Sequence, residues 1–140
     1  MLMTDWHDSW VFCKGLGPQY GLPSAIQQEV AIRGGSDKRY CYGDAATELG
    51  EFAWYDTNSG DHAHAVGLKR PNAYGVFDGH GQVWEWSWEW GIVGSSRVLR
   101  GGSCSCRSAR RHDFEPGYRN SFLGFRVVLC LSVESSQSSS

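Results

Sequence analysis

The side chains best suited to chemistry in this chain are its cysteines and histidines, and they are sparsely placed. Cys104 and Cys106 stand two residues apart, a spacing at which two thiolates chelate a soft metal such as Cu(I). The competing reading is two partly buried, inert thiols. His62 and His64 form an H-x-H in a loop, while His80 and His112 stand alone. An H-x-H without further ligands is weak ground for zinc, so histidines bonded within loops or facing solvent are expected. No nucleophile elbow, phosphate loop or H-E-x-x-H occurs anywhere in the chain. Side chains suited to binding are better represented. His112, Asp113, Phe114, Tyr118, Asn120, Ser121 and Phe122 mix aromatic, polar and small groups, as adaptable recognition surfaces do. They follow no helical or strand period and surround Pro116 and Gly117, which predicts a loop, and loops on rigid scaffolds carry recognition.

Holding such residues in place requires a core, and 140 residues suffice for one domain. With 18 Gly, 14% aromatic and 20% charged residues, the composition excludes a disordered chain, a coiled coil and a collagen-like repeat. We expect a single domain over residues 1–131 and a disordered Ser-rich tail over 132–140. The longest purely apolar stretch, Val127 to Leu131, is far too short to span a membrane. Asp5 and Asp8 stand where a signal peptide needs basic and then apolar residues. With an odd number of cysteines, five in all, this predicts reduced thiols and a cytoplasmic location.

Net charge is −2 but unevenly spread. Arg97 to Arg126 holds seven arginines against two acids, whereas residues 1–96 hold six basic and twelve acidic residues. The near cancellation predicts that the arginines pair with the acidic body through bidentate hydrogen bonds. It argues against nucleic-acid or membrane-surface partners.

The local patterns predict two helices followed by a loop-rich region with short strands. A helix from Thr4 to Lys14 would be capped by Thr4, with Trp6 and Trp10 on one face. Ser24 and Gln27 form a capping box for a second helix, with Ile26 and Val30 as its apolar face and Gly34 and Gly35 as its end. From Gln82 to Trp90, Trp84, Trp86, Trp88 and Trp90 alternate with Val83, Glu85, Ser87 and Glu89, which puts four indoles on one face of a strand. That stripe reads as core. Arg97 to Arg100 and Phe125 to Leu131 are further strand candidates. The result is an α+β architecture.

Several ordered blocks carry a resemblance. They are GLKRPNAYGVFDGHGQVWEWSWEW (67–90), RVLRGGSCSCRSARR (97–111) and LGFRVV (123–128), preceded by degraded copies of two further motifs in GLPSAIQQEVAIRGG and YCYGD. Together they resemble the formylglycine-generating enzyme, or sulfatase-modifying factor, superfamily from Trp6 to about Leu129. The resemblance implies the irregular, C-type-lectin-like α+β fold of that superfamily, here in a minimal version without the family's N-terminal portion. Apolar surface left uncovered by that portion would favour self-association into a homo-oligomer.

The resemblance also implies where chemistry should be sought. Catalytic members hold copper between two cysteines spaced C-x-x-x-x-C after a G-G-S motif. Here Gly101, Gly102 and Ser103 are followed by Cys104, Ser105 and Cys106, so the pair is not matched and copper is not expected. Enzymes of the family bind calcium in the turn before the W-E-W strand, and the matching positions are Asp78, Gly81, Val83 and Glu85. Oxygen donors on a Gly-rich turn suit a hard cation. The alternative is that Asp78 caps the turn and Glu85 pairs with an arginine.

Two classes of function follow. In the first, the domain is a non-catalytic module that binds a protein or small-molecule ligand. Its frame resembles that of the variable proteins of diversity-generating retroelements, and His112, Asp113, Phe114, Tyr118, Asn120 and Phe122 would form its surface. In the second, it is a copper-dependent formylglycine-generating oxidoreductase, or a degenerate cassette-borne fragment of one. The unmatched cysteine pair favours the first.

Overall fold

The computed structural model describes residues 3–91, 95–101 and 107–131. The chain begins with helix α1, Trp6–Leu16, and its cap is Asp5 rather than Thr4. The Asp5 carboxylate accepts from the Asp8 backbone N–H at 2.8 Å, and Asp8 returns a contact to the Asp5 N–H, forming a reciprocal box. A carboxylate at this position meets the positive end of the helix, which the Thr4 hydroxyl cannot do as strongly. Strand β1, Tyr20–Gly21, leads to α2, Ala25–Arg33, where the predicted box of Ser24 and Gln27 is present. Gly34 ends α2 in the left-handed conformation, at φ 58°, packed against Asn72.

A single turn over Ala46–Glu48 runs into the short helix α3, Leu49–Phe52. The strands β2, Trp84–Trp90, β3, Arg97–Gly101, β4, Arg111–Phe114, and β5, Leu123–Phe125, form one sheet in the order β4-β3-β2-β5. Neighbours are antiparallel except β2 and β5, which run parallel. Strand β6, Val128–Leu129, leaves this sheet to pair with β1. The strand predicted over Phe125 to Leu131 is therefore two strands, because the chain passes at Arg126 from β2 to β1.

Both faces of β2 are covered over its first half. Trp86 is fully buried in the main core with Trp6, Cys13, Leu22, Leu99 and Leu123, on the side of α1. Glu85 and Ser87 are buried on the other side, towards α2. The tryptophan stripe is thus core only in part: Trp84 is half-buried, while Trp88 and Trp90 are 48% and 58% exposed. The register slips between Trp86 and Trp90 and the second half of the strand runs beyond the core. There Arg97 lies between the Trp90 and Trp6 rings, its guanidinium 3.5 and 3.9 Å from their centroids.

The apolar face predicted for α2 is also corrected. Ile26 and Val30 are 70% and 55% exposed, and Ala25, Gln28 and Ile32 are buried instead. Gln28 is drawn inward because its amide donates to the buried Glu85 at 3.2 Å. A second, smaller cluster gathers Tyr40, Leu49 and Ala53, flanked by Tyr42 and Tyr55. No helix among the described residues is long and apolar enough to cross a membrane.

As the charge distribution predicts, arginines of the C-terminal third reach back to acids of the body. Arg126 grips Glu85 through two bonds of 2.9 and 3.0 Å, and Arg119 bridges Asp5 and Asp8. Arg100, almost fully buried on β3, donates to Glu29 of α2 at 2.7 Å. Arg107 departs from the pattern, being exposed. Burial opposes ionisation of Glu29, yet its bonds and charge contacts with Arg33 and Arg100 hold its carboxyl below the ordinary value. Arg100→Ala should therefore lower unfolding free energy in urea by about 1–3 kcal/mol, the scale of hydrogen bonds to charged groups. A depressed folded pKa stabilises above the unfolded value and loses that contribution as pH falls through the folded value. Glu29's contribution to stability should accordingly fall away as pH drops from about the ordinary value of 4.5 downward. Arg100→Ala should make that fall shallower.

Candidate ligand-binding site

The sheet register decides which of the candidate binding residues meet. Trp86 pairs with Leu99, and Leu99 with His112, so Trp84, Trp86, Leu99, His112 and Phe114 project from one face. Below this point α1 covers that face. Beyond it, Trp84, His112, Phe114, Tyr118, Asn120, Phe122 and Leu123 line a cavity of about 230 Å³. Its aromatic wall is continuous. His112 lies 5.9 Å from Trp84 and 4.7 Å from Phe114, and Phe114 stacks on Tyr118 at 4.6 Å. Five of the six residues assigned to a ligand surface thus share one pocket.

Two expectations need correction. His112, Asp113 and Phe114 belong to strand β4 rather than to a loop, and Phe114 is half-buried against the main core. Strand pairing also separates Asp113 from its neighbours. Alternation turns it to the opposite face, where it is half-buried near Arg111 at 3.9 Å. The roof, residues 118–122, is the loop that the sequence predicts, and Asn120 shapes it. Its side-chain oxygen accepts from the Phe122 N–H at 3.0 Å, and its amide donates to the Tyr118 hydroxyl at 3.3 Å. Trp84 and Leu123 complete the pocket, and the period-two pattern of β2 was the signal that could have placed Trp84 there. Arg110 lies over the Trp84 ring, 5.8 Å from its centroid.

The turn that precedes β2 gathers the calcium candidates. Asp78 and Gln82 both adopt left-handed backbone, at φ 56° and 75°, unusual for residues with side chains. A Cβ at Gly81 would collide with the Trp54 carbonyl, so only glycine passes there. Asp78 is buried; its Oδ2 accepts from the Gly67 N–H at 2.9 Å, and its Oδ1 has no hydrogen-bond partner among the described residues. Both Glu85 oxygens accept from Arg126, and Oε2 also from Gln28, which leaves acceptor capacity on Oε1. Glu85 pairs with an arginine, as the alternative reading had it. The orphaned Asp78 oxygen is nonetheless the kind of donor that a hard cation takes. A calcium ion held at Asp78 would have to share Glu85 with Arg126.

No group of three or more histidine, cysteine, aspartate or glutamate side chains suited to a metal occurs among the described residues. The His62 and His64 rings contact the Gly60 and Ser59 carbonyls at 2.9 and 2.7 Å, as loop-bonded histidines do. His80 is buried and accepts from the Cys41 N–H at 3.0 Å. Burial pushes the Cys13 and Cys41 thiols up, and these, with Cys130, are free. Cys104 and Cys106 lie outside the described residues.

Residues 1–131 match the model of the sulfatase-modifying factor enzyme 1-like domain. The chain belongs to that family. A formylglycine-generating enzyme of Streptomyces coelicolor is 30% identical over 89% of this chain, and one of Mus musculus 28% identical over 91%. The chain spans about half the length of these relatives, 51% and 43%. Among solved structures it is similar to Treponema denticola variable protein 1, with 36% identity and TM-score 0.73 over 77% of this chain and 46% of that one. PvdO from Pseudomonas aeruginosa shares the fold at TM-score 0.79 and 22% identity, over 91% of this chain and 60% of that one. The fold is the C-type-lectin-like α+β fold of the family, and the family blocks 97–101 and 123–128 form β3 and β5 with the start of β6.

The pocket's half-buried and exposed rings should differ in their stability cost. Tyr118 and Phe122 are each 40% exposed, so Tyr118→Ala and Phe122→Ala should stay within about 1 kcal/mol of the native protein in urea unfolding. Phe114→Ala should cost about 2 kcal/mol, roughly half of a fully buried phenylalanine truncation. A Tyr118→Ala protein that fails to fold would make this ring part of the scaffold.

Proposed function

We propose that this domain is a non-catalytic binding module whose ligand site is the aromatic pocket over β2 and β4. The observation that carries this reading is the convergence of His112, Phe114, Tyr118, Asn120 and Phe122 on one cavity. Two of these five come from strand β4 and three from a loop pinned by Asn120, so the pocket is preformed rather than assembled on binding. Likeness to a Treponema variable protein at 36% identity supports the same reading. The relatives called formylglycine-generating enzymes support the alternative of oxidising a substrate cysteine to formylglycine. That alternative needs two cysteines spaced C-x-x-x-x-C after Gly101, Gly102 and Ser103, and this chain carries Cys104-Ser105-Cys106 there. Incubation with copper, a thiol reductant and a sulfatase-type peptide should leave the peptide cysteine unmodified by mass spectrometry. An aldehyde product would overturn the binding-module reading.

Within this reading calcium is structural. Asp78 and Glu85, with the Gly81 and Val83 carbonyls, would hold it, and its charge would tie the turn to β2. A ligand of the native state alone stabilises by about 2.7 kcal/mol at a hundredfold excess over Kd. Excess EDTA should lower the melting temperature by several degrees, and Asp78→Ala should abolish that response. A melting temperature unmoved by EDTA or added calcium would leave Arg126 as the sole counter-charge of the turn.

A further inference from the structure

The pocket's size, lining and charge define its ligand more narrowly. A cavity of about 230 Å³ exceeds the roughly 150 Å³ that accommodates benzene but falls short of the about 300–1,000 Å³ that buries a small molecule whole. It holds one ring. Pockets of that size, walled by aromatic side chains and rimmed by polar ones, receive single anchor residues of protein partners. Trp84, His112, Phe114 and Tyr118 offer ring faces and edges, and Leu123 an apolar floor.

Charge sets what flanks that ring. Among the described residues no acidic side chain lines the cavity. Arg110, exposed and stationed over Trp84, makes no ion pair with a described residue. Arg111 faces Asp113 on the far side of β4, and Arg119 is engaged by Asp5 and Asp8. Of the two acids nearby in sequence, Asp113 is turned to that far side and Glu115 is exposed outside the lining. Arg110 thus stands just outside the lining, over one of its rings, and a guanidinium with no ion pair among the described residues beside a ring pocket favours a carboxylate next to the incoming ring.

Building on the binding-module reading, we propose that the pocket takes a tyrosine or phenylalanine side chain of a partner protein, with an acidic residue beside it contacting Arg110. The test is an NMR titration of the ¹⁵N-labelled domain, read at the Trp84 indole and the Asn120 and Phe122 amides. The probes are blocked tetrapeptides Gly-Asp-Tyr-Gly, Gly-Lys-Tyr-Gly and Gly-Asp-Leu-Gly, with free 4-hydroxyphenylacetate as the small-molecule arm. The Asp-Tyr peptide should shift all three signals and bind about three- to fivefold tighter than the Lys-Tyr peptide, the range of an exposed ion pair. The leucine peptide should leave the pocket signals in place. Arg110→Gln should reduce the Asp-over-Lys preference to less than about twofold, with the fold checked by its spectrum.

Equal or tighter binding of the Lys-Tyr peptide would overturn the acidic neighbour. Equal binding of the leucine peptide would overturn the aromatic anchor. Shifts with 4-hydroxyphenylacetate alone would replace the protein partner by a small aromatic acid. Each of these leaves the binding module standing. Silence of the pocket signals towards every probe would overturn both this proposal and that reading.

Discussion

The carboxylate of Glu85 sits on the central strand of the sheet, under helix α2, and it must be neutralised there. Removing a charge from water costs several kcal/mol unless partners replace the lost hydration. Arg126 supplies two bonds and a positive charge, and Gln28 a third bond. Each partner then constrains an element. Gln28 fixes the rotation of α2 and forces Ile26 and Val30 outward. Arg126 fixes the point at which the chain leaves β5 for β6, and its second contact, to the Phe77 carbonyl at 2.9 Å, holds the turn before β2. Burial works against the Arg126 charge, but Glu85 and Asp78 hold it firmly protonated. Such a network is a poor source of net stability compared with apolar packing, yet losing either partner strands a buried charge.

With one face of the sheet committed to that polar network and α2, the other carries the apolar core. Trp6, Cys13 and Leu22 cover Trp86, Leu99 and Leu123. The same face continues from that cluster through Trp84 and Phe114 to an apolar surface roofed by residues 118–122. The pocket is this continuation. Core and site are one surface, which is why Phe114, Trp84 and Leu123 belong to both.

How much of this was legible in the sequence depended on the range of the signal. The Ser24–Gln27 cap and the stop at Gly34 are local chemistry and were read correctly. The order of family blocks fixed the fold class. Periodicity misled where one pattern met two environments: four alternating tryptophans promised one buried stripe, but the bulge and the end of α1 leave Trp88 and Trp90 outside. It misled again on α2, where a polar Gln28 faces inward because of a residue 57 positions away. The small cluster of Tyr40, Leu49 and Ala53 left no local pattern, since ring stacking such as Tyr42 on Phe52 at 4.7 Å joins residues from irregular segments. Candidate pocket residues were legible by type, while their face was not. Only the pairing of Leu99 with His112 shows that His112 and Phe114 point to the pocket and Asp113 away from it.

The roof of the pocket is held from outside it. Asp5 and Asp8, which cap α1, also receive the two arms of Arg119 at 2.8 and 2.5 Å. The Trp6 N–H, one of the donors that a helix start leaves unpaired, goes to the Pro116 carbonyl at 3.0 Å. The start of α1 and the roof loop therefore satisfy each other: the loop supplies an acceptor and a cation, the helix a donor and two carboxylates. The Arg119 bond, reinforced by the Asp5 N–H, holds the Asp8 carboxyl below its ordinary value. None of the residues in this linkage other than the backbone of the roof itself faces the cavity. Tyr118 and Phe122 can therefore differ in chemistry while Arg119 and Asn120 between them keep the loop in place. A ring entering the pocket meets walls whose ordering cost folding has already met, which is the condition under which so small a cavity can bind at all.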